Sequence, residues 1–140
     1  MGQEESKILI IFSDFYSEVS KNLINGAEYY LNQNNISFEK KKVDGALEIP
    51  FLLQKFKNKF NGFIVLGCVI KGETDHYQVV KDICLNGIYS IAYKECLPLG
   101  CGILTVNNLE QALERSDIKK KNIGESAAKA CCNLIEIIKD

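Results

Sequence analysis

The stretch GFIVLGCVI, Gly62–Ile70, is the most apolar segment of this 140-residue chain. A short apolar run without alternation is typical of a strand that is buried on both faces of a sheet. Behind it, apolar residues recur at helical spacing, at Val80, Ile83, Cys84, Gly87, Ile88 and Ile91. We therefore predict a buried strand over residues 62–70 and a helix after it.

The same pair of patterns recurs along the rest of the chain. Further strands are predicted at residues 7–12, 36–43 and 99–106. Apolar residues at helical spacing follow the first strand, follow Pro50, and recur twice after the last strand. This alternation predicts right-handed crossovers and a four-stranded parallel sheet with helices on both faces, which is a three-layer α/β/α sandwich.

The composition is that of an ordinary globular protein. Apolar residues make up 46% and charged residues 25% of the sequence, which has 10 Gly and 2 Pro. This balance excludes disordered, collagen-like and disulfide-scaffold proteins. The length predicts a single domain over residues 1–140, and we expect residues 1–6 to form a flexible N-terminal tail.

Charge and hydropathy exclude two classes of partner. Lys and Arg number 17 against 18 Asp and Glu, a formal net charge of -1. The chain therefore lacks the basic excess of proteins that bind nucleic acids or anionic membranes, and we expect neither partner. No apolar run is long enough to cross a bilayer, and the N-terminus has no apolar stretch preceded by basic residues, as a secretory signal would have. We predict a cytoplasmic protein, with an organelle as the alternative location.

The six cysteines, at positions 68, 84, 96, 101, 131 and 132, include no Cys-x-x-Cys pair and mostly lie in apolar periodic segments. Reduced, mostly buried thiols are therefore the expected state. No cluster of His, Cys and acidic residues has the spacing of metal ligands, so we predict no metal site.

Ligands of such sheets bind beyond the carboxyl ends of the strands, here near residues 13–16, 44–48, 71–76 and 105–108. His76, the only histidine, lies in the third of these segments. A proton-transfer group would be useful there near neutral pH. A structural or solvated histidine is the alternative.

Arg115 is the only arginine of the chain, and all its other basic residues are lysines. A planar guanidinium binds a carboxylate or a phosphate through two hydrogen bonds, so this residue indicates an anion site. The alternative is a surface ion pair with Glu114 or Asp117.

The segment GCVIKGET, residues 67–74, is similar to a nucleotide-binding phosphate loop, but Glu73 stands where that loop needs its lysine. A nucleoside triphosphatase is therefore disfavoured. The backbone amides of residues 72–74 are suited to bind one phosphate at the start of the following helix. The alternative is an ordinary helix start capped by Thr74.

Phe15 and Tyr16 follow the first strand, where an aromatic ring either packs into the core or stacks on a planar ligand. Glu48 lies between apolar neighbours at a strand-to-helix turn. Its carboxylate can accept hydrogen bonds from a hydroxylated ligand or from the amides that start the helix. The residues alone do not decide between packing and stacking for the aromatic rings, or between ligand binding and helix capping for Glu48.

Four motifs together resemble one enzyme family. They are GALEIP (45–50), GCVIKGETDHYQVV (67–80), LPLGCGILTVNNLEQALERS (97–116) and NIGESAA (122–128). They resemble 6,7-dimethyl-8-ribityllumazine synthase of riboflavin biosynthesis, a transferase family with a flavodoxin-like fold. The resemblance implies condensation of 5-amino-6-(ribitylamino)uracil with 3,4-dihydroxy-2-butanone 4-phosphate, with release of phosphate and water and with no cofactor or metal.

The resemblance also implies roles for single residues. His76 is expected to shuttle protons, and Arg115 to grip the phosphate of the butanone. Phe15 is expected to stack on the pyrimidine ring, and Glu48 to bind the ribityl chain. The implied substrate-binding residues are Phe15, Ala46, Leu47, Glu48, Cys68, Val69, Ile70, Gly72, Glu73, Thr74 and Cys101.

The family implies an assembly as well. Its active sites lie between neighbouring subunits of a pentamer, with the segment of Arg115 facing the other groups from the adjacent chain. Some members form icosahedral shells of twelve pentamers, so we expect a pentamer or a multiple of it. Riboflavin synthase is a further expected partner.

Several positions depart from the family pattern. Lys71 replaces a common arginine, Cys101 a bulky phenylalanine, Ile123 a lysine and Ser126 an acid. These departures motivate an alternative, a catalytically impaired relative that binds riboflavin or lumazine or forms a shell. A third hypothesis is an unrelated flavodoxin-like domain that binds a flavin phosphate, which the motifs GETDH and EQALER disfavour.

Overall fold

The computed structural model describes residues 7–72 and 76–139 of the chain. Four parallel strands form one sheet in the order β2-β1-β3-β4. They are β1 (Lys7–Ser13), β2 (Ser37–Val43), β3 (Gly62–Ile70) and β4 (Leu99–Val106). The predicted four-stranded parallel sheet is confirmed, while the predicted tail over residues 1–6 lies outside the described residues.

Five helices cover the two faces of this sheet. They are α1 (Ser17–Gln33), α2 (Ile49–Phe56), α3 (Tyr77–Glu95), α4 (Leu109–Ser116) and α5 (Ile123–Lys139), and a 3₁₀ turn over Ala46–Glu48 precedes α2. Buried residues of α1, α4 and α5 share one core cluster, and those of α2 and α3 share another. The three-layer α/β/α sandwich with a flavodoxin-like fold is thus confirmed.

Strand β1 shows how one sheet supports two cores. Successive side chains of a strand point to opposite faces. Ile8 and Ile10 accordingly pack with α1 and α5, whereas Leu9 and Ile11 pack with α2 and α3. All four are fully buried, because β1 and β3 are the inner strands and are covered on both sides.

The apolar stripes of α3 and α5 extend beyond the part of each helix that is buried against the rest of the described chain. In α3, Cys84 and Ile88 are buried, but Ile83 is 53% exposed beside the equally exposed Val79. In α5, Ile138 is 63% exposed. Apolar spacing defines a helix face, but it does not tell which part of that face another element of the same chain covers.

Helix α5 lies very close to the sheet at Gly100. A Cβ atom on this residue would overlap the carbonyl oxygen of Ala127. Only glycine allows this approach, which brings α5 onto β4.

All six cysteines are free thiols. Burial raises the pKa of Cys84 and of Cys131 to about 12, so both are neutral at physiological pH. Within residues 7–72 and 76–139, no helix has both the length and the hydropathy that a membrane span requires.

Candidate active site

A groove of about 240 Å³ opens at the carboxyl edge of the sheet. It lies between the end of β1, the 3₁₀ turn before α2, the end of β3 and the start of α3. It is lined by Ser13, Phe15, Tyr16, Gly45, Ala46, Leu47, Glu48, Cys68, Val69, Ile70 and Val80. Seven residues predicted from sequence therefore lie together. They are Phe15, Ala46, Leu47, Glu48, Cys68, Val69 and Ile70.

A larger cleft, of about 470 Å³, lies between α1 and the C-terminal part of α5. It is lined by Asn34, Asn35 and Asn133, among others, and by none of the predicted site residues. The smaller groove is the better candidate because it combines the strand-end position with the predicted residues.

Phe15 is the most exposed wall of the groove. Its ring is 75% exposed, so the alternative of core packing is wrong for this residue. It contacts the ring of Tyr16 in a T-shaped pair, with the two ring centroids 4.9 Å apart and the planes nearly perpendicular. Tyr16 itself packs against the core, which leaves the Phe15 ring available to stack on a planar ligand.

Glu48 faces the groove from the 3₁₀ turn. Its Oε1 atom accepts a hydrogen bond of 2.9 Å from the backbone N–H of Gly45. The capping alternative is therefore confirmed for this oxygen. No other hydrogen bond joins Glu48 to the described residues, so its second oxygen can accept from a ligand.

The end of β3 closes the groove on the other side. Burial raises the pKa of the Cys68 thiol to about 12. At physiological pH Cys68 therefore lines the groove as an uncharged thiol and is not a nucleophile. The N–H of Lys71 donates to the carbonyl oxygen of Val106 and ties β3 to β4. Gly72 then has a φ of +90°, a backbone conformation that favours glycine.

His76 lies at the start of α3. It is the N-cap residue of this helix, and its carbonyl oxygen accepts from the N–H of Val80, which lines the groove. The imidazole is exposed, one helical turn from that wall. The helix thus begins at Tyr77, and Thr74, the residue of the capping alternative, lies outside the described residues. Glu73 and Thr74, both predicted phosphate-site residues, lie outside the described residues.

Arg115 lies elsewhere in the chain. It is exposed near the end of α4, a helix that packs with α1 and α5 on the sheet face opposite to α2 and α3. It lies six positions after Leu109, the first residue of α4, which corresponds to about 9 Å of helix. No carboxylate of residues 7–72 and 76–139 pairs with it, so the ion pair with Glu114 or Asp117 is wrong.

Cys101 is also outside the groove. Its side chain lies on the α2 and α3 face of β4, where it contacts Tyr89. Burial, together with Cys101, raises the pKa of Tyr89 to about 12. Ile123, at another departure from the family pattern, packs against the core on the opposite face. One chain thus brings neither Arg115 nor Cys101 to the groove.

The groove also contains residues to which the sequence assigned no role. Ser13, Gly45 and Val80 line it in addition to the predicted set. Ser13 and Gly45 lie at or just after strand ends, so position was their signal in the sequence, whereas Val80 lies in the first turn of α3 and belongs to its apolar stripe. Among the described residues, no group of His, Cys, Asp and Glu is arranged to hold a metal ion.

The sequence profile of 6,7-dimethyl-8-ribityllumazine synthase matches residues 5–139. The chain belongs to this family. Lumazine synthases from three bacteria are among its most similar relatives. That of Paramagnetospirillum magneticum is 36% identical over 94% of both chains. That of Bartonella bacilliformis is 38% identical over 94% of this chain and 90% of its own. That of Limosilactobacillus reuteri is 34% identical over 96% of this chain and 90% of its own.

Family membership defines the reaction. Lumazine synthases are transferases that condense 5-amino-6-(ribitylamino)uracil with 3,4-dihydroxy-2-butanone 4-phosphate in riboflavin biosynthesis, and this chain has the same activity. Their substrates are small molecules, and lumazine synthases are oligomeric. Nothing in these similarities favours the alternative of an impaired relative that only binds riboflavin or lumazine.

Proposed function

We propose that this chain forms lumazine at a site shared by two copies of itself. One copy supplies the groove with Phe15, Glu48 and His76, and its neighbour supplies Arg115. The position of Arg115 carries this proposal: it is exposed, without an ion pair to the described residues, on the sheet face opposite to the groove helices. A second chain can present this guanidinium to the phosphate end of a substrate in the groove.

Each residue has a separate chemical task in this proposal. Phe15 stacks on the pyrimidine, and the free oxygen of Glu48 accepts from the ribityl hydroxyls. His76 moves protons during imine formation, phosphate elimination and ring closure. Arg115, with the amides of residues 72–74, holds the phosphate. The rate gain then comes mainly from holding two substrates in register.

The assay is lumazine formation followed by absorbance, compared with the uncatalysed condensation at the same pH. His76→Ala should lower kcat by about 100-fold or more with little change in substrate binding, because a proton carrier is lost. Arg115→Ala should instead raise the KM for the butanone phosphate. A wild-type rate equal to the uncatalysed rate would contradict the proposal, and an unchanged kcat in His76→Ala would contradict the role of His76.

The assembly is a pentamer or a multiple of it, in a single-domain cytoplasmic enzyme. A closed ring gives every groove a neighbour that can supply Arg115. Exposed apolar side chains on α2 and α3, Phe51, Val79, Ile83 and Tyr93, support an extended contact between chains. Sedimentation analysis tests this: a monomer at assay concentration would contradict it, and a particle of twelve pentamers would establish an icosahedral shell. Co-sedimentation with riboflavin synthase tests that partner.

A further inference from the structure

Three polar side chains are buried in the described ranges 7–72 and 76–139, and all three are serines. The hydroxyl of Ser20 donates to the carbonyl oxygen of Ser13 at 3.1 Å, and that of Ser116 donates to the carbonyl oxygen of Leu113 at 3.3 Å. The hydroxyl of Ser13 makes no hydrogen bond to any described residue, although Ser13 is only 5% exposed. The Oγ atom itself is not sealed off: among the described residues, the one fully buried side-chain oxygen or nitrogen without a hydrogen-bond partner is Asn122 Oδ1. A hydroxyl that has no protein partner and retains some exposure can bind a ligand group.

The position of Ser13 shows where its hydroxyl is exposed. Ser13 is the last residue of β1 and lies on the same face as Leu9 and Ile11, towards α2 and α3. A Cβ atom on Gly67, in the next strand, would lie 2.8 Å from the Ser13 Oγ atom, so this glycine leaves the hydroxyl its space. Ser13 lines the groove together with Glu48. The hydroxyl is therefore a polar group in the floor of the groove.

The chemistry around Ser13 selects the kind of ligand group. Most other side chains of the groove are apolar, and the Glu48 carboxylate can only accept hydrogen bonds. A serine hydroxyl can also donate one. A polyol chain needs both an acceptor for its hydroxyl protons and a donor to its oxygens, and Glu48 and Ser13 together offer this pair on one side of the groove.

We propose that Ser13 is a substrate-positioning residue whose hydroxyl hydrogen-bonds to the ribityl chain of the pyrimidine substrate. This inference rests on the proposed function, which assigns that substrate to the groove. It makes Ser13 a specificity residue, because a pyrimidine without the polyol leaves its hydroxyl unpaired.

The experiment compares Ser13→Ala with wild type in two titrations on the assembled protein. One uses 5-amino-6-(ribitylamino)uracil, and the other an analogue that has a methyl group in place of the ribityl chain. Loss of one hydrogen bond should weaken the binding of the ribityl compound by about tenfold and leave the binding of the analogue unchanged. The Tm should stay the same or rise, because the removed hydroxyl has no protein partner.

Ser20→Ala is the matched control. It removes a buried hydroxyl that does have a partner, so it should lower the Tm and leave both affinities unchanged. Equal affinity of Ser13→Ala and wild type for the ribityl compound, or equal weakening for both ligands, would overturn the role of Ser13 even if wild-type turnover is normal. A wild-type protein that binds no ribityl compound would overturn both this inference and the proposed function.

Discussion

Replacing Phe15 by alanine should separate binding from stability. The ring is 75% exposed, so about a quarter of its surface is buried by the rest of the chain. An aromatic side chain offers about 200 Å² in all, which makes the buried part about 50 Å². At about 25 cal/mol per Å², its removal should lower the free energy of unfolding by at most about 1.3 kcal/mol.

The effect on substrate binding should be larger. Stacking of a heterocyclic base on an aromatic ring contributes about 1–3 kcal/mol. Phe15→Ala should therefore weaken binding of the pyrimidine substrate by about 5- to 150-fold. The dissociation constant can be measured by fluorescence titration, and the free energy of unfolding by urea denaturation.

Two further variants sharpen this test. Phe15→Tyr keeps a ring and should bind nearly as well as wild type, whereas Phe15→Leu keeps an apolar side chain and should behave like alanine. If Phe15→Ala lost several kcal/mol of stability and kept its affinity, Phe15 would be a packing residue, and its assignment to the pyrimidine would be wrong.

Three other outcomes are expected. Gly100→Ala should lower the free energy of unfolding, measured by urea denaturation, by about 3 kcal/mol or more, because the new Cβ atom overlaps the carbonyl oxygen of Ala127 in α5. A denaturation midpoint equal to that of wild type would contradict this close packing of α5 on β4. Burial raises the pKa values of Cys68, Cys84 and Cys131 from 9.0 to about 12. Between these two values the thiols lose their protons in the unfolded chain but keep them in the folded protein. The Tm should therefore fall as the pH rises above 9.0. A Tm that stays level over that range would refute neutral thiols. Arg115→Lys should recover only part of the phosphate affinity lost in Arg115→Ala, since an ammonium lacks the paired donors of a guanidinium, and full recovery would exclude a bidentate contact.

Most of the fold could be predicted from the sequence because its strands have simple patterns. The bounds predicted for β3 and β4 are the observed ones, and those for β1 and β2 differ by one residue. Runs of apolar residues between turn signals mark strands that are buried on both faces. The 3₁₀ turn at Ala46–Glu48 was not predicted, because three residues are too few for any period to show.

The site could be predicted only in part. The strand-end rule and the family motifs found the groove walls at Phe15 and Glu48, but not the floor at Ser13, whose importance depends on a missing hydrogen-bond partner. The exposure of Phe15 could not be predicted either, because an aromatic residue after a strand more often packs into the core, and the residues alone favoured that interpretation. Arg115 shows the remaining difficulty: in the proposed shared site it acts on the groove of a neighbouring chain, and a single sequence does not show which chain a residue serves.

Mixing two impaired variants tests the shared site most directly. His76→Ala has an intact Arg115, and Arg115→Ala has an intact groove, so a ring assembled from equal amounts of both contains interfaces with every required group. If chains mix at random around a closed ring, about one quarter of the interfaces are complete. At a butanone phosphate concentration far below the KM of Arg115→Ala, the mixture, unfolded and refolded together, should therefore recover about one quarter of the wild-type activity, while each variant refolded alone has very little activity. A co-refolded mixture no more active than the separate variants would place Arg115 and the groove in the same chain and contradict the account.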